Sequence, residues 1–194
     1  KTALFNRLTG SRQKVANYAG VTVERKEGQF SVGEKTIRIL DLPGAYSLNA
    51  TSPDEEITRE VCEGNAKYGF QPDLLVCVID ATNLRLHLRF VLELKSLGKP
   101  MLVALNMMDA ASRRGIEINI PKLEASLGIP VVPTVAVVSQ GADALKIALS
   151  TSDAAALKIN AEAEAEDIHQ RVRRILTDAV SMPSATAVLD DRLD

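Results

Sequence analysis

The sequence predicts an α/β fold, a mostly parallel sheet with helices on both faces, followed by an all-helical appendage. Three observations predict it. Strand-like and helix-like segments alternate over the first three quarters of the 194 residues, the order that builds a parallel sheet. Two of the strand-like segments, Leu74 to Asp80 and Met101 to Leu105, are continuous apolar runs that suit central strands covered on both faces. Between Asp153 and Val180 there is no Gly or Pro, and Ile168, Val172, Ile175, Leu176 and Ala179 recur at helical spacing. The boundary falls near residue 150, giving one unit over 1–149 and a helical unit over 150–194.

Taken in order, Thr2 to Leu8 reads as a helix ending at Gly10. Gln29–Phe30 and Thr36 to Leu40 read as strands with Gly33 in the turn between them. Pro53 to Cys62 reads as a helix capped by Ser52, with Glu55 three residues on. After the strand at Leu74, Leu84 to Leu97 is a helix closed by Gly98 and Pro100, and Met101 to Leu105 is a strand. Pro121 to Leu127 is a helix ended by Gly128, Val131 to Val137 a strand interrupted by Pro133, and Ala142 to Leu149 the start of a helix. Ala187 to Leu193 starts another.

Composition narrows the function classes. With 23 basic and 25 acidic side chains the net charge is −2, which argues against a broad nucleic-acid surface. Hydrophobic residues at 46% and charged residues at 25% are the balance of a soluble globular protein. With no Trp and only 4% aromatics, the core is expected to be aliphatic. The longest apolar runs fall far short of the roughly 20 residues a bilayer span needs. The opening Lys1-Thr2-Ala3-Leu4-Phe5-Asn6 leads into a mixed polar helix pattern and not a signal peptide. Cys62 and Cys77 have no metal or redox spacing, and Cys77 reads as a small buried hydrophobe of a reducing compartment.

Four short elements carry chemistry together. Lys1-Thr2 opens a helix, as the Lys and Ser/Thr of a P-loop do, where Lys reaches the β- and γ-phosphates and the hydroxyl binds Mg²⁺. The chain begins at that Lys, so the glycine loop and its strand are expected to precede it in the molecule. Asp41-Leu42-Pro43-Gly44 ends the strand Ile37 to Leu40. There the Asp can hold Mg²⁺ through water, and the Gly N–H can approach a γ-phosphate unobstructed. Asn106-Met107-Met108-Asp109 follows the strand Met101 to Leu105. A carboxylate there can accept both N1–H and N2–H₂ of guanine, which adenine cannot match, while Asn106 braces neighbouring loops. Thr22, in Asn17-Tyr18-Ala19-Gly20-Val21-Thr22-Val23, can bind Mg²⁺ by its hydroxyl and a γ-phosphate by its N–H. Each element alone is weak. Their order and spacing are those of a small GTPase, and the second and third end strands, where open α/β sheets bind ligands. A fifth anchor, a loop whose N–H contacts guanine O6, is expected at Ala136 and Val137.

The resemblance is closer than the superfamily. Asn17 to Glu24, Asp41-Leu42-Pro43-Gly44-Ala45-Tyr46-Ser47-Leu48 and Ala104-Leu105-Asn106-Met107-Met108-Asp109 resemble the GTPase domain of the bacterial ferrous iron transport protein B family. Leu8-Thr9-Gly10-Ser11 and Ser52-Pro53-Asp54-Glu55 fit as well, and the match runs from residue 1 to about 149. Most relatives in the superfamily carry Lys where Met107 stands. The resemblance implies a Ras-like P-loop GTPase fold, a helical domain shorter than usual, and a membrane permease moving Fe²⁺ further along the same polypeptide. It implies GTP or GDP as ligand, Mg²⁺ held by Thr2, Thr22 and Asp41, and K⁺ as an activator bound partly by switch I carbonyls. It also places the domain on the cytoplasmic face of the bacterial inner membrane, leaving a homo-oligomer open. Catalysis would rest on Lys1, Thr22 and Gly44. Ala45 stands where Ras-type enzymes place a water-orienting Gln, so hydrolysis is expected at no more than about 10⁻⁴ to 10⁻³ s⁻¹. No iron site is visible around His87 or His169. Two other readings stay open: a free-standing GTPase of ribosome assembly, and a nucleotide-sensing module with negligible hydrolysis. Switch II, Asp41 to Glu63, is expected to carry nucleotide state to the appendage, whose apolar stripe packs on the first unit or on neighbouring helices.

Overall fold

A computed structural model of the chain describes residues 1–10, 13–18, 20–68, 71–151, 157 and 167–181. Its first element is helix α1, Thr2–Thr9, which buries Leu4, Phe5 and Leu8 along one face and ends at Gly10 with φ 59°. An antiparallel meander follows, of β1 (Gln13–Asn17), β2 (Glu24–Val32) and β3 (Lys35–Asp41). Helix α2, Pro53–Glu63, begins where expected. Ser52 Oγ accepts the Glu55 N–H, Pro53 occupies the first turn, and Asp54, Glu55 and Glu56 put negative charge at the positive end of the helix dipole. The returning bond of the cap is shifted by one residue: Glu55 Oε2 accepts from the N–H of Thr51, at 2.9 Å. Gly64 at φ 82° closes the helix, and a single 3₁₀ turn spans Ala66–Tyr68.

The parallel sheet consists of β4 (Leu75–Asp80), β5 (Met101–Asn106) and β7 (Val131–Pro133), with β5 in the middle. Every residue of β5 is buried. Its side chains alternate between two aliphatic cores. Met101, Val103 and Leu105 join Leu75, Cys77 and Ile79 of β4 on one face, while Leu102 and Ala104 join Leu4 and Leu8 of α1 and Phe30 of β2 on the other. The α1-side core therefore ties the antiparallel meander to the parallel sheet. Helix α3 (Leu84–Lys95) covers the opposite face, short helix α4 (Met108–Arg113) follows β5, and α5 (Ile120–Leu127) precedes β7. Helix α6 (Asp143–Thr151) closes the first unit.

The appendage enters the description at α7, Ile168–Ala179, capped by the Asp167 side chain. Val172, Ile175 and Ala179 are buried and Ile168 and Leu176 half-buried in the core that α3 and α5 share, so the expected stripe packs on the first unit. The all-helical expectation is amended by β8 (Val180–Ser181), which pairs antiparallel with β6 (Glu117–Ile118) beside the α7 C-terminus. The Asn119 N–H donates to Ala179 O at 2.8 Å, so backbone bonding continues past that pair. The Ala-Glu stretch before residue 167 and the helix expected at Ala187 to Leu193 lie outside the described residues.

One further expectation changes. The strand expected to run to Val137 stops at Pro133: Thr134 N–H still donates to Leu105 O, but Val135 N–H turns back to Gly141 O at 2.8 Å and closes a loop. Residues 13–17, to which the sequence assigned no element, form edge strand β1, whose side chains are largely exposed and so carry no apolar alternation to read. Cys62 and Cys77 lie in the core, and burial pushes both thiols up to about 12, leaving them inert.

Gly28 of β2 lies against α1: a Cβ there would fall 2.3 Å from Thr9 Cγ2. Gly28→Ala should therefore lower stability by about 1–3 kcal/mol through overpacking, read as a lower urea midpoint at unchanged m-value.

Candidate functional site

Two side-chain clusters carry the expected residues, one at the α1 N-terminus and one at the end of β5. The first surrounds a cavity of about 460 Å³ lined by Lys1, Thr22, Asp41, Leu42, Pro43 and Gly44 together with residues of β2 and of the α2 N-terminus. Asp41 is the last residue of β3, and its carboxylate lies 3.0 Å from Lys1 Nζ at the α1 N-terminus. The same ammonium donates to Leu42 O. The cation and anion neutralise one another, and both face the cavity. Pro43 O accepts from Thr58 Oγ1 at 3.0 Å, so α2 holds the turn that presents Gly44. A Cβ at Gly44 would meet no protein atom, so the space beside its Cα is open. Thr2 is exposed in the first turn of α1, next to Lys1, and does not line the cavity.

Thr22 reaches the cavity from a turn that a tyrosine anchors. Tyr18 N–H donates to Val23 O and Val21 N–H to Tyr18 O, at 3.0 and 3.2 Å, leaving Thr22 exposed at the rim. The Tyr18 ring is 1% exposed and packs with Ile57 and Val61 of α2. It meets Tyr68 edge-on, with centroids 5.5 Å apart. Burial pushes its phenol up to about 12, and its hydroxyl has no hydrogen-bond partner. Burial of Tyr18 thus locks the Thr22 turn to α2, a coupling that a hydrophobicity pattern over so short a segment does not disclose.

Beyond Gly44 the chain is held by α3. Glu93 Oε2 accepts from Ser47 Oγ at 2.9 Å and from the Leu48 N–H at 2.7 Å, and Glu93 Oε1 pairs with Arg89. Ala45 is half-buried beside the cavity turn, and Tyr46 lies against His87 of α3 with ring centroids 5.9 Å apart.

The second cluster is built on the end of β5. The Asn106 carboxamide is buried, and its Oδ1 accepts from Thr134 Oγ1 at 3.2 Å and from the Ala136 N–H at 3.1 Å. Met107 takes a left-handed conformation, φ 65°, unusual for a residue with a side chain and exposed at the rim. That reversal starts α4, so Asp109 sits in a helical first turn. Arg113, one turn on, donates to Asp109 Oδ2 at 2.8 Å and holds the carboxyl below its usual range, so it is ionised and acceptor-only. Ala136 is buried and Val137 exposed in the Val135–Gly141 loop. Thr134, which the sequence reading passed over, is 2% exposed and braces Asn106. Its signal was a lone polar residue after an apolar strand. Among the described residues no group of three His, Cys, Asp or Glu side chains is placed to hold a metal ion.

A parallel sheet whose strand ends present Asn106 and the Ala136 loop, beside a Lys1–Asp41 cavity at a helix N-terminus, defines a domain of the Ras-like P-loop GTPase fold. The profile of the family described as ferrous iron transport protein B matches residues 1–149, and the chain belongs to that family. It is 50% identical over 154 residues to the Fe(2+) transporter FeoB of Escherichia coli K12, covering 77% of this chain and 19% of that protein. It is 46% identical over 159 residues to its namesake in Salmonella typhimurium, covering 79% and 20%. The chain thus spans about a fifth of the length of these relatives. The cytosolic domain of L. pneumophila FeoB superposes with TM-score 0.75 at 42% identity, covering 91% of this chain and 66% of that one. The cytosolic domain of T. maritima FeoB in a GDP form superposes with TM-score 0.80 at 27% identity, covering 93% of each. No helix among the described residues is long and apolar enough to cross a membrane.

The Tyr46–His87 contact gives a pH signature. Burial holds the His87 imidazole below its ordinary pKa, against an opposing pull from Asp80. Between its folded value and the ordinary value of about 6.5 the unfolded chain binds the extra proton. Stability from this group is therefore lost as pH falls through that window. His87→Gln should flatten the fall in urea-unfolding free energy between pH 7.5 and 5.5 relative to the parent.

Proposed function

We propose that this chain is the GTP-binding, slowly hydrolysing regulatory domain of a ferrous iron membrane transporter, with residues 1–149 as the G domain and 150–194 as a helical domain. The carrying observation is the convergence of Lys1, Thr22, Asp41 and Gly44 on one cavity. Family membership supports the iron-transport context, and the GDP-bound T. maritima relative supports the guanine nucleotide. The permease is then a further part of the same polypeptide, and this domain works at the cytoplasmic face of the bacterial inner membrane.

In this reading Lys1 exchanges Asp41 for the β- and γ-phosphate oxygens, where its charge offsets what accumulates as the γ-phosphoryl departs. Asp41, once released, would hold Mg²⁺ through water, with the Thr22 and Thr2 hydroxyls as further ligands. The oxygen-only donors Asp41 and Thr22 on the cavity fit that hard cation. When bound, it would neutralise phosphate charge. The Gly44 N–H and Thr22 N–H close on the γ-phosphate, and the Ala45 methyl orients no water, which keeps unassisted turnover slow. K⁺ is the proposed activator, held by backbone carbonyls of the Thr22 turn. At the other end Asp109 accepts N1–H and N2–H₂ of guanine, Asn106 braces the site, Met107 covers the base, and the Ala136–Val137 loop meets O6.

Asp109→Asn should lower GDP affinity about 10²-fold or more, because an amide cannot accept both guanine donors. Calorimetric titration checks it, and equal GTP and ATP affinity in the parent overturns the guanine assignment.

Thr22→Ala should leave GDP affinity within about twofold and slow Mg²⁺-dependent hydrolysis at least tenfold, since its contacts exist only around a γ-phosphate. Single-turnover phosphate release measures this, and an unchanged rate rejects Thr22.

A further inference from the structure

Arg7 lies in the last turn of α1 and reaches out of that helix to the Val135–Gly141 loop. Its Nε donates to Ala136 O at 3.2 Å and its Nη2 to Val137 O at 3.3 Å. A planar guanidinium carries donors in a fixed fork, so two successive carbonyls held together define the orientation of the peptide between them. The opposite side of the loop is also held. The Ala136 N–H donates to Asn106 Oδ1. At the base, Val135 N–H donates to Gly141 O, and a Cβ on Gly141 would fall 1.8 Å from Val135 O. Val137, between these holds, is 73% exposed. Asn106 takes the Ala136 N–H and Val135 O takes the Val138 N–H, so between them the Val137 N–H faces outward from a peptide whose own carbonyl, Ala136 O, and the next, Val137 O, are both held by Arg7.

We infer that Arg7 is a positioning residue for guanine recognition: it fixes the Val137 N–H against guanine O6, touching no ligand itself. The inference rests on the proposed guanine site. It also joins the two clusters mechanically. Lys1 is the N-cap, and Arg7 lies in the last turn, of one helix of eight residues, about 12 Å long at 1.5 Å per residue. A shift of that helix on phosphate binding therefore moves the loop that meets the base. Without Arg7 the two carbonyls turn to water, and an exposed loop held at its base and by Asn106 alone samples more positions.

The test is nucleotide release from the full-length protein, followed by stopped flow with fluorescent GDP and with the diphosphate of 2-aminopurine riboside, which lacks O6 and, with it, the N1 proton, so that for Arg7 the comparison is of each nucleotide's rise on mutation and not of the two parent rates. Arg7→Met keeps the aliphatic stem and the helix propensity while removing both donors. It should raise the GDP off-rate about tenfold, the order expected for lost charge-assisted bonds, and leave the 2-aminopurine off-rate within twofold. Arg7→Lys, with one donor group, should recover part of the GDP effect. An unchanged GDP off-rate in Arg7→Met, or an equal rise for both nucleotides, overturns the positioning role. If the parent releases the 2-aminopurine analogue as slowly as GDP, neither O6 nor the N1 proton is recognised, and the reading on which the inference rests fails.

Discussion

The Asn106 carboxamide ends a strand with no exposed residue, and a buried polar group without partners is costly, on the order of 1–3 kcal/mol. Its oxygen is satisfied by the Thr134 hydroxyl and the Ala136 N–H, and its backbone carbonyl accepts the Ala81 N–H at 2.8 Å. Three chain segments, the ends of β4, β5 and β7, are thereby fixed to one residue. Everything at this end of the sheet inherits its position from that satisfaction: the reversal at Met107, the placement of Asp109 in α4, and the height of the loop that Arg7 grips from the other side. A residue that would weaken an apolar strand is tolerated there because its bonds are part of the site's geometry.

What was legible in the sequence follows from the same physics. Continuous apolar runs report burial on both faces, so β4 and β5 were found to within a residue. The α2 cap was read from Ser52, Pro53 and Glu55 because each acts within one turn. The strand end at Pro133 was not legible, since Thr134 continues one ladder bond while Val135 turns away, a choice made by Gly141 six residues on. Edge strand β1 exposes most of its side chains and leaves no pattern. The cluster of Lys1, Thr22, Asp41 and Gly44 on one cavity was legible from order and spacing, since each residue type alone says little. Arg7, Tyr18 and Thr134 were not legible as site residues. Their roles arise from contacts across 129, 50 and 28 positions of sequence, which no local pattern encodes.

The two proposed switch segments are tied to different partners, and that asymmetry bears on how nucleotide state could travel. The Thr22 turn is anchored by an apolar side chain, Tyr18, on α2. Such a contact is insensitive to charge at the cavity and moves as α2 moves. The segment after Gly44 is anchored by hydrogen bonds to one carboxylate, Glu93. Those bonds are directional and must break or follow if Gly44 advances toward a phosphate. Glu93 belongs to α3, and α3 is a helix on which α7 packs. A displacement at Ser47 and Leu48 therefore has a contiguous physical path to the helical unit, through a carboxylate and a packed helix face. Close packing transmits small shifts because side chains interdigitate without voids.

Contiguity alone is not coupling, which requires that the linked elements favour one arrangement in each ligand state. The Lys1–Asp41 ion pair supplies a reason for two. Lys1 and Asp41 are paired, yet in the proposed chemistry each belongs to a different partner, the ammonium to phosphate and the carboxylate to the cation side. A nucleotide with its cation must separate them, and Asp41 ends the strand whose next residues, Leu42 to Gly44, lead directly to Ser47 and Leu48. Lys1 simultaneously releases Leu42 O. Breaking one ion pair thus frees both the carboxylate and the backbone of the segment that Glu93 restrains. The Lys1–Asp41 pair is accordingly the element on which the cavity side chains and the segment held by Glu93 both depend.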